Sequence, residues 1–332
     1  MSRGLLFVTA ALLCVAVLAS CTAPQPAPTP QPTPRPTGAI LSLDWVPNTN
    51  HTGFYVALEK GWYEQEGIDL QIQIPSDPAA ALKQVAYGNT EFGVSFQEEV
   101  TIARSNGIPV VSLAAIIQHN TSAFASLAET GIQRARDIEG KRYASYGLPI
   151  ERPILGQLMA CDGGDIEKVE FIDVGFDAFP ALIAKRVDLA WIFLAWDGVQ
   201  AEIMGVELNS LPLYGSCVPD YYTPLIIAGE TTIKDRPDLV RHFVAATVLG
   251  YEYAVAHPQE SAEILLRASP EIEPELARRS QAWLSPRYQD DAPRWGEQKL
   301  EVWADFATFM LDNGLIDEAI DPTAAFTNEF LP

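Results

Sequence analysis

Four histidines and four cysteines among 332 residues leave little material for catalysis. His51 and His119 are the only imidazoles near candidate cleft positions, and no Ser/His/Asp or Cys/His arrangement is visible by spacing. The phosphate-cradling patterns GxGxxG and GxxxxGK[ST] do not occur. Cys161 and Cys217 stand outside any CxxC or Cys/His cluster, so no metal or cofactor is indicated. Glu98 and Glu99 adjoin, but neighbours in sequence need not converge, and solvated carboxylates are the commoner case. What the chain does offer is rings and hydrogen-bonding side chains with scarcely an Arg or Lys among them: Asp44, Trp45, Asn48, Phe96, Gln97, Glu98, Gln118, Asn120, Tyr146, Phe176, Asp177, Trp196, Asp197 and Tyr222. Such a set suits a planar nitrogen heterocycle stacked between rings, its N–H and C=O edges met by amides and carboxyls. A sulfonate or nitrate would call for a cationic clamp or exposed helix N-termini. Helix N-termini are expected here, so the anion reading is reduced and not removed.

These residues earn their place by position. Strand patterns at 39–45, 68–74, 92–96, 110–117, 141–145, 170–174 and 189–193 alternate with helical spacing at 50–60, 77–87, 153–161 and 179–185. Asp77 is placed as a helix N-cap with Pro78 in the first turn. Strands separated by helices imply βαβ units and a parallel sheet. In such sheets ligands sit beyond the carboxyl ends of strands. Asp44, Trp45 and Asn48 follow the first strand, and Phe96 to Glu98, Gln118 with Asn120, Tyr146, Phe176 with Asp177, and Trp196 with Asp197 follow later ones. Tyr221 and Tyr222 are either turn residues or place one ring in the cleft, and Tyr222 is the candidate. Trp191, on a strand, is read as core, while Trp62, Trp283, Trp295 and Trp303 are read as packing. From Arg236 onward the pattern is nearly all helical.

The N-terminus carries a different signal. Arg3 precedes an apolar run from Leu5 to Leu18 that ends in Leu-Ala-Ser-Cys21. At about 14 residues the run is short of the roughly 20 that a membrane span needs. Cys21 after small residues resembles a bacterial lipobox, in which the thiol is acylated. Prolines at 24, 26, 28, 30, 32, 34 and 36 then describe an extended tether. The expected partition is a signal peptide over 1–20, a lipidated Cys and tether over 21–38, and a body from residue 39. The formal net charge of −21 argues against nucleic acid and anionic lipid as partners of the body. Cys161 and Cys217 either pair or remain as buried thiols.

Leu43 to Ala57, with its WxPNTxHxG core, and Glu59 to Leu70 resemble the opening of one binding-protein family. The likeness recurs at Ala86–Val94, Asp137–Lys141, Val174–Asp177 and Arg186–Ala190. It points to the ABC-transporter substrate-binding proteins related to thiamine-pyrimidine-precursor and sulfonate binders. The resemblance implies an α/β, two-lobed periplasmic-binding-protein fold of type II-like topology, with two crossover strands and a ligand cleft between lobes. One lobe is expected at 39–121 plus 224–332 and the other at 122–223. It also implies a monomeric receptor without cofactor, delivering a small molecule to an ABC permease and its ATPase. Catalytic relatives use a histidine soon after one strand and a cysteine-rich stretch. The matching runs here, Gly93–Thr101 and Leu211–Pro224, hold no histidine and only Cys217, which argues against an enzyme. The precursor-binding branch shows an Asn/Glu pair where this chain reads Phe193-Leu194-Ala195-Trp196-Asp197-Gly198. That exchange ranks riboflavin first, a thiamine pyrimidine precursor close behind, and sulfonate-type anions third.

Overall fold

The computed structural model describes residues 1, 36–75 and 80–332. The signal-like run, Cys21, most of the tether, and the expected Asp77 cap with Pro78 lie outside the described residues. Among the described residues ten strands form two five-stranded sheets. The first holds β1 (Thr37–Ser42), β2 (Ile68–Gln73), β3 (Phe92–Ser95), β4 (Val110–Ala115) and, much later in the chain, β10 (Leu225–Gly229). The second holds β5 (Ser122–Leu127), β6 (Arg142–Ser145), β7 (Glu170–Asp173), β8 (Leu189–Phe193) and β9 (Leu208–Pro212). Their orders, β2-β1-β3-β10-β4 and β7-β6-β8-β5-β9, are the same pattern used twice.

The sheets are mixed, not parallel as the alternation of strands and helices suggested. β10 runs antiparallel between β3 and β4, and β5 antiparallel between β8 and β9. The reason is directional. A strand arriving from the other sheet enters at the edge facing that sheet and runs away from it, whereas the βαβ strands run towards it. β5, β9 and β10 were not among the strands read from periodicity. β5 (SAFASL) and β10 (LIIAG) are buried along their whole length, so neither shows the in–out alternation of a half-exposed strand.

Helices cover both faces of the first sheet, and its core gathers Leu41, Phe54, Phe92, Val94, Phe243, Tyr251 and Trp295. Phe92 and Phe243 stack at 3.7 Å between centroids, and Tyr251 stacks on Trp295 at 4.3 Å. Trp295 and Trp303 are fully buried, and Trp62 and Trp283 pack at the margin of the first core. The second core gathers Phe124, Tyr143, Ile154, Leu158, Leu189 and Trp191. The helix Leu300–Asp312 belongs to both. Trp303 lies with β4 and β10 residues, while Phe306, Phe309 and Met310 lie in the second core. Cys161, at the end of helix Glu151–Cys161, is disulfide-bonded to Cys217 in the segment returning to β10. Among the described residues no helix is long and apolar enough to cross a membrane.

One close approach sets the position of the first cleft loop. The helices Thr52–Glu59 and Pro237–Ala256 cross so closely that a Cβ on Gly250 would sit 2.0 Å from the Gly53 carbonyl oxygen. A Cβ on Gly53 would lie 2.3 Å from the Tyr251 ring. Neither a backbone carbonyl nor a ring locked among Phe54, Tyr288 and Trp295 can yield. Gly250→Ala should therefore lower the unfolding free energy by on the order of 3 kcal/mol, read as a fall in the urea midpoint with an unchanged m-value.

Candidate ligand-binding cleft

A cavity of about 620 Å³ opens between the two sheets, within the range of small-molecule sites. Parallel strands of both sheets end at it, and so do the starts of β5 and β10. Asp44 and Trp45 enter it beyond β1, Phe96 and Glu98 beyond β3, Tyr146 beyond β6, and Trp196 and Asp197 beyond β8. Ser122 opens β5, and Tyr221 and Thr223 precede β10.

The β1 loop is held by polar contacts that fix its side chains. His51 is fully buried; its Nδ1 accepts from the Asn48 backbone N–H at 3.2 Å, which leaves the proton on Nε2. Nε2–H then donates to Asp44 Oδ1 at 2.6 Å. Asn48 caps the following turn, its Oδ1 accepting from the Asn50 N–H at 2.8 Å and its amide donating to the Val46 carbonyl at 2.9 Å. The Tyr288 hydroxyl donates to the Thr49 carbonyl, and Thr49 and Ser280 hydroxyls meet at 2.6 Å. The loop is thus bolted to the C-terminal helices before any ligand arrives.

The opposite wall is aromatic. Tyr146 donates its hydroxyl to the Trp191 carbonyl at 2.8 Å, and its backbone N–H to Glu151 Oε2 at 3.0 Å. Glu151 also accepts from the Tyr143 hydroxyl at 2.6 Å and the Leu148 N–H at 2.7 Å, and so collects the whole β6 loop. Trp191 donates Nε1–H to the Ser122 hydroxyl at 2.7 Å, which donates in turn to Asn120 Oδ1 at 2.6 Å. Trp196 and Asp197 sit on a π-helical turn, Leu194–Gly198, whose wider winding follows β8 directly. Asp197 Oδ2 accepts from the Phe193 N–H at 3.0 Å.

Eight of the residues singled out from the sequence line this cavity: Asp44, Trp45, Asn48, Phe96, Glu98, Tyr146, Trp196 and Asp197. Others are engaged elsewhere. Gln97 donates to the Val302 carbonyl and accepts from the Tyr222 N–H, and the Tyr222 hydroxyl accepts from the Lys299 N–H. Gln118 donates to the Glu297 carbonyl, and Asn120 stands behind Ser122. Asp177 is exposed at the start of helix Ala178–Ile183, and the Phe176 side chain lies outside the described residues. Of the tyrosine pair it is Tyr221 that faces the cavity, with Phe306 stacked behind it at 4.2 Å. Trp191, read as core, also lines it, as do Phe179, Ile183 and Phe193. Strand alternation held the signal for Trp191 and Phe193, which are two residues apart on β8 and so share a face. His119 is turned to Asp220 at 2.6 Å, stacked on Tyr214, and does not line the cavity.

Among the described residues the lining includes three carboxyl groups and no Lys, Arg or His. Burial pushes the Glu98 carboxyl up to about 8; a backbone hydrogen bond opposes this and the neighbouring Glu99 charge adds to it. Glu98 is 7 % exposed, and its Oε2 has no hydrogen-bond partner among the described residues. Burial likewise raises Asp197 to about 6, against the pull of the Phe193 and Asp197 backbone N–H groups. No group of three or more His, Cys, Asp or Glu that could hold a metal is present among the described residues.

Two α/β lobes with a cleft at their facing strand ends define a periplasmic-binding-protein fold. The alkanesulfonate-binding protein SsuA of Xanthomonas axonopodis, bound to MOPS, shares it with a TM-score of 0.69 at 13% identity, over 89% of this chain and 99% of that one. The chain belongs to the NMT1/THI5-like family, whose model matches residues 48–261. It is 28% identical to the formylaminopyrimidine-binding protein of Halalkalibacterium halodurans, over 86% of this chain and 88% of that protein. It is 26% identical to the riboflavin-binding protein RibY of Chloroflexus aurantiacus, covering 98% and 97%. A 4-amino-5-hydroxymethyl-2-methylpyrimidine phosphate synthase of Legionella pneumophila is also 26% identical, covering 88% and 92%.

The raised carboxyls have a signed consequence for stability. The folded protein holds these protons more tightly than the unfolded chain, so unfolding free energy falls as pH rises, from about 4 to 6 for Asp197 and from about 4.5 to 8 for Glu98. The melting temperature should drop by several degrees between pH 5 and 8.5. Glu98→Gln should flatten the part of this fall above pH 6, as measured by calorimetry in matched buffers.

Proposed function

We propose that this chain is the extracytoplasmic solute-binding component of an ABC importer, and that its ligand is a planar nitrogen heterocycle of the vitamin or vitamin-precursor kind. The observation that carries this reading is the cavity lining: Trp45, Trp191 and Trp196 with Phe96, Tyr146 and Tyr221, interrupted by three buried carboxyls and, among the described residues, without a cation. Rings offer stacking faces, and carboxyls offer partners to amino and ring N–H groups. A sulfonate finds no positive counterpart in that lining.

Within this class an aminopyrimidine of the thiamine-precursor type comes first. It is supported by the Halalkalibacterium relative and by the match of carboxyls to amino groups. Riboflavin, which the Trp196 loop had put ahead, becomes the second reading. The breadth of the tryptophan surface and the nearly end-to-end match with RibY favour it. The reading is of binding without turnover: ligand binds in the open cleft, closure brings the lobes together, and the closed form meets the permease. Closure shifts only by the ligand's differential affinity for the two states. The Leu-Ala-Ser-Cys21 sequence supports lipid attachment at that cysteine, and the Cys161–Cys217 disulfide supports an oxidising compartment.

Titration of the soluble body with each heterocycle, followed by tryptophan fluorescence, tests the reading. Saturable quenching is expected from the aminopyrimidine, and quenching by riboflavin alone would reverse the order. Trp45→Ala and Trp196→Ala should each weaken binding by about 1–3 kcal/mol, the scale of base–aromatic stacking. Recovery of a chemically altered ligand after incubation would count for an enzyme. In a bacterial host, Cys21→Ala should move the full chain from the membrane fraction to the soluble one.

A further inference from the structure

Glu98 is the polar group on the cavity wall whose bonding is left incomplete. It stands in the first turn of the helix Gln97–Ser105, which is fixed at that end by Gln97 bridging the Tyr222 N–H and the Val302 carbonyl. The carboxyl therefore cannot swing to solvent by a small loop shift. Among the described residues its Oε2 meets no partner, and no cation lines the cavity to balance a charge there. The Asn120 side chain meets the Tyr221 phenol close by, and that phenol also feels Glu98. Among the described residues, the ionisable groups that line the cavity with Glu98 are Tyr221 on the return segment and Asp44, Tyr146 and Asp197 on the other walls, and Glu99 adjoins it on its own helix. All are acidic, so none favours a carboxylate.

We propose that Glu98 meets the ligand as a carboxylic acid, and that the cleft thereby selects a ring edge carrying one hydrogen-bond donor beside one acceptor. This rests on the heterocycle reading above and narrows it. A carboxylic acid offers an O–H and a carbonyl oxygen side by side. Its complement is a ring nitrogen next to an amino-bearing carbon, or a ring N–H next to a carbonyl. An apolar ring without such an edge would leave the buried acid unpaired, which costs more than the bond itself contributes. Glu98 is in this sense the specificity-determining residue, while the tryptophans supply area. The high carboxyl pKa accords with this form at neutral pH.

The test uses the mature protein and two probes, 4-amino-5-hydroxymethyl-2-methylpyrimidine and riboflavin, titrated between pH 6.5 and 9. For the probe that binds, wild-type affinity should hold to about pH 7.5 and fall towards tenfold per pH unit once Glu98 ionises, near pH 8. Glu98→Gln keeps a donor beside an acceptor; it should bind within about threefold of wild type at pH 7 and lose the alkaline decline. Glu98→Leu should bind more than about tenfold more weakly than wild type below about pH 7.5 and show no alkaline decline, with an intact far-ultraviolet spectrum and melting transition. A wild-type profile flat to pH 9, a Gln variant as weak as the Leu variant, or a Leu variant as tight as wild type at neutral pH each overturns the proposal while leaving the heterocycle reading in place. Failure of both probes to bind wild type at any pH overturns the two together.

Discussion

The chain passes from the first sheet to the second after β4 and returns after β9, and each passage ends in a strand that inserts antiparallel into its new sheet. This constraint decides where everything else can stand. Because β5 and β10 begin where the parallel strands end, the two passages and the βα loops share one space. Ser122, Tyr221 and Thr223 reach the cavity for that reason, and not because they lie in βα loops. It also explains why one topology serves both lobes: each is a βαβ sheet that accepts a single strand from its neighbour in the same slot.

Carboxyl groups around the cleft form a graded series in how completely they are bonded. Glu151 is saturated by two backbone N–H groups and two hydroxyls, and serves as the anchor of the β6 loop. Asp44 has one strong partner in the Nε2–H of His51. Asp197 accepts from main-chain N–H groups alone, and Glu98 keeps one oxygen unbonded among the described residues. Burying a polar group without a partner is unfavourable by roughly 1–3 kcal/mol. The series therefore runs from groups that hold the architecture to groups whose bonding is left to something that enters from outside. Aromatic faces alone would hold many flat molecules; it is the incompletely bonded groups that narrow the choice.

Much of this was legible in the sequence, and the failures have physical causes. Positions just beyond the strand patterns supplied Asp44, Trp45, Phe96, Tyr146 and Trp196, because a strand end is a local property of the chain. The sheets themselves were misread as parallel, since strand direction depends on which sheet a segment joins, and that is set by contacts far apart in sequence. β5 and β10 escaped notice because burial on both faces erases alternation. Gln97 and Tyr222 were placed in the cleft by proximity to strand ends. The Gln97 side chain is instead spent on the Tyr222 backbone N–H and the Val302 carbonyl, and the Tyr222 hydroxyl on the Lys299 N–H, which no local pattern announces. The exchange of Tyr222 for Tyr221 shows the limit of resolution: adjacent residues in an extended segment point to opposite sides, and a shift of one reverses them.

The helix Leu300–Asp312 threads both cores, with Trp303 held in one and Phe306, Phe309 and Met310 in the other. Two peptide crossings would by themselves let one lobe bend and twist on the other. A third, non-covalent strut removes part of that freedom, because twisting would have to unseat aromatic rings from one core or the other. A bend about a line near this helix would disturb these seated rings least. Phe306 presses on Tyr221 from behind, so the strut also touches the wall on which a ligand would rest. A C-terminal helix, remote in sequence from every cleft loop, thus ties the two cores together behind the cleft wall.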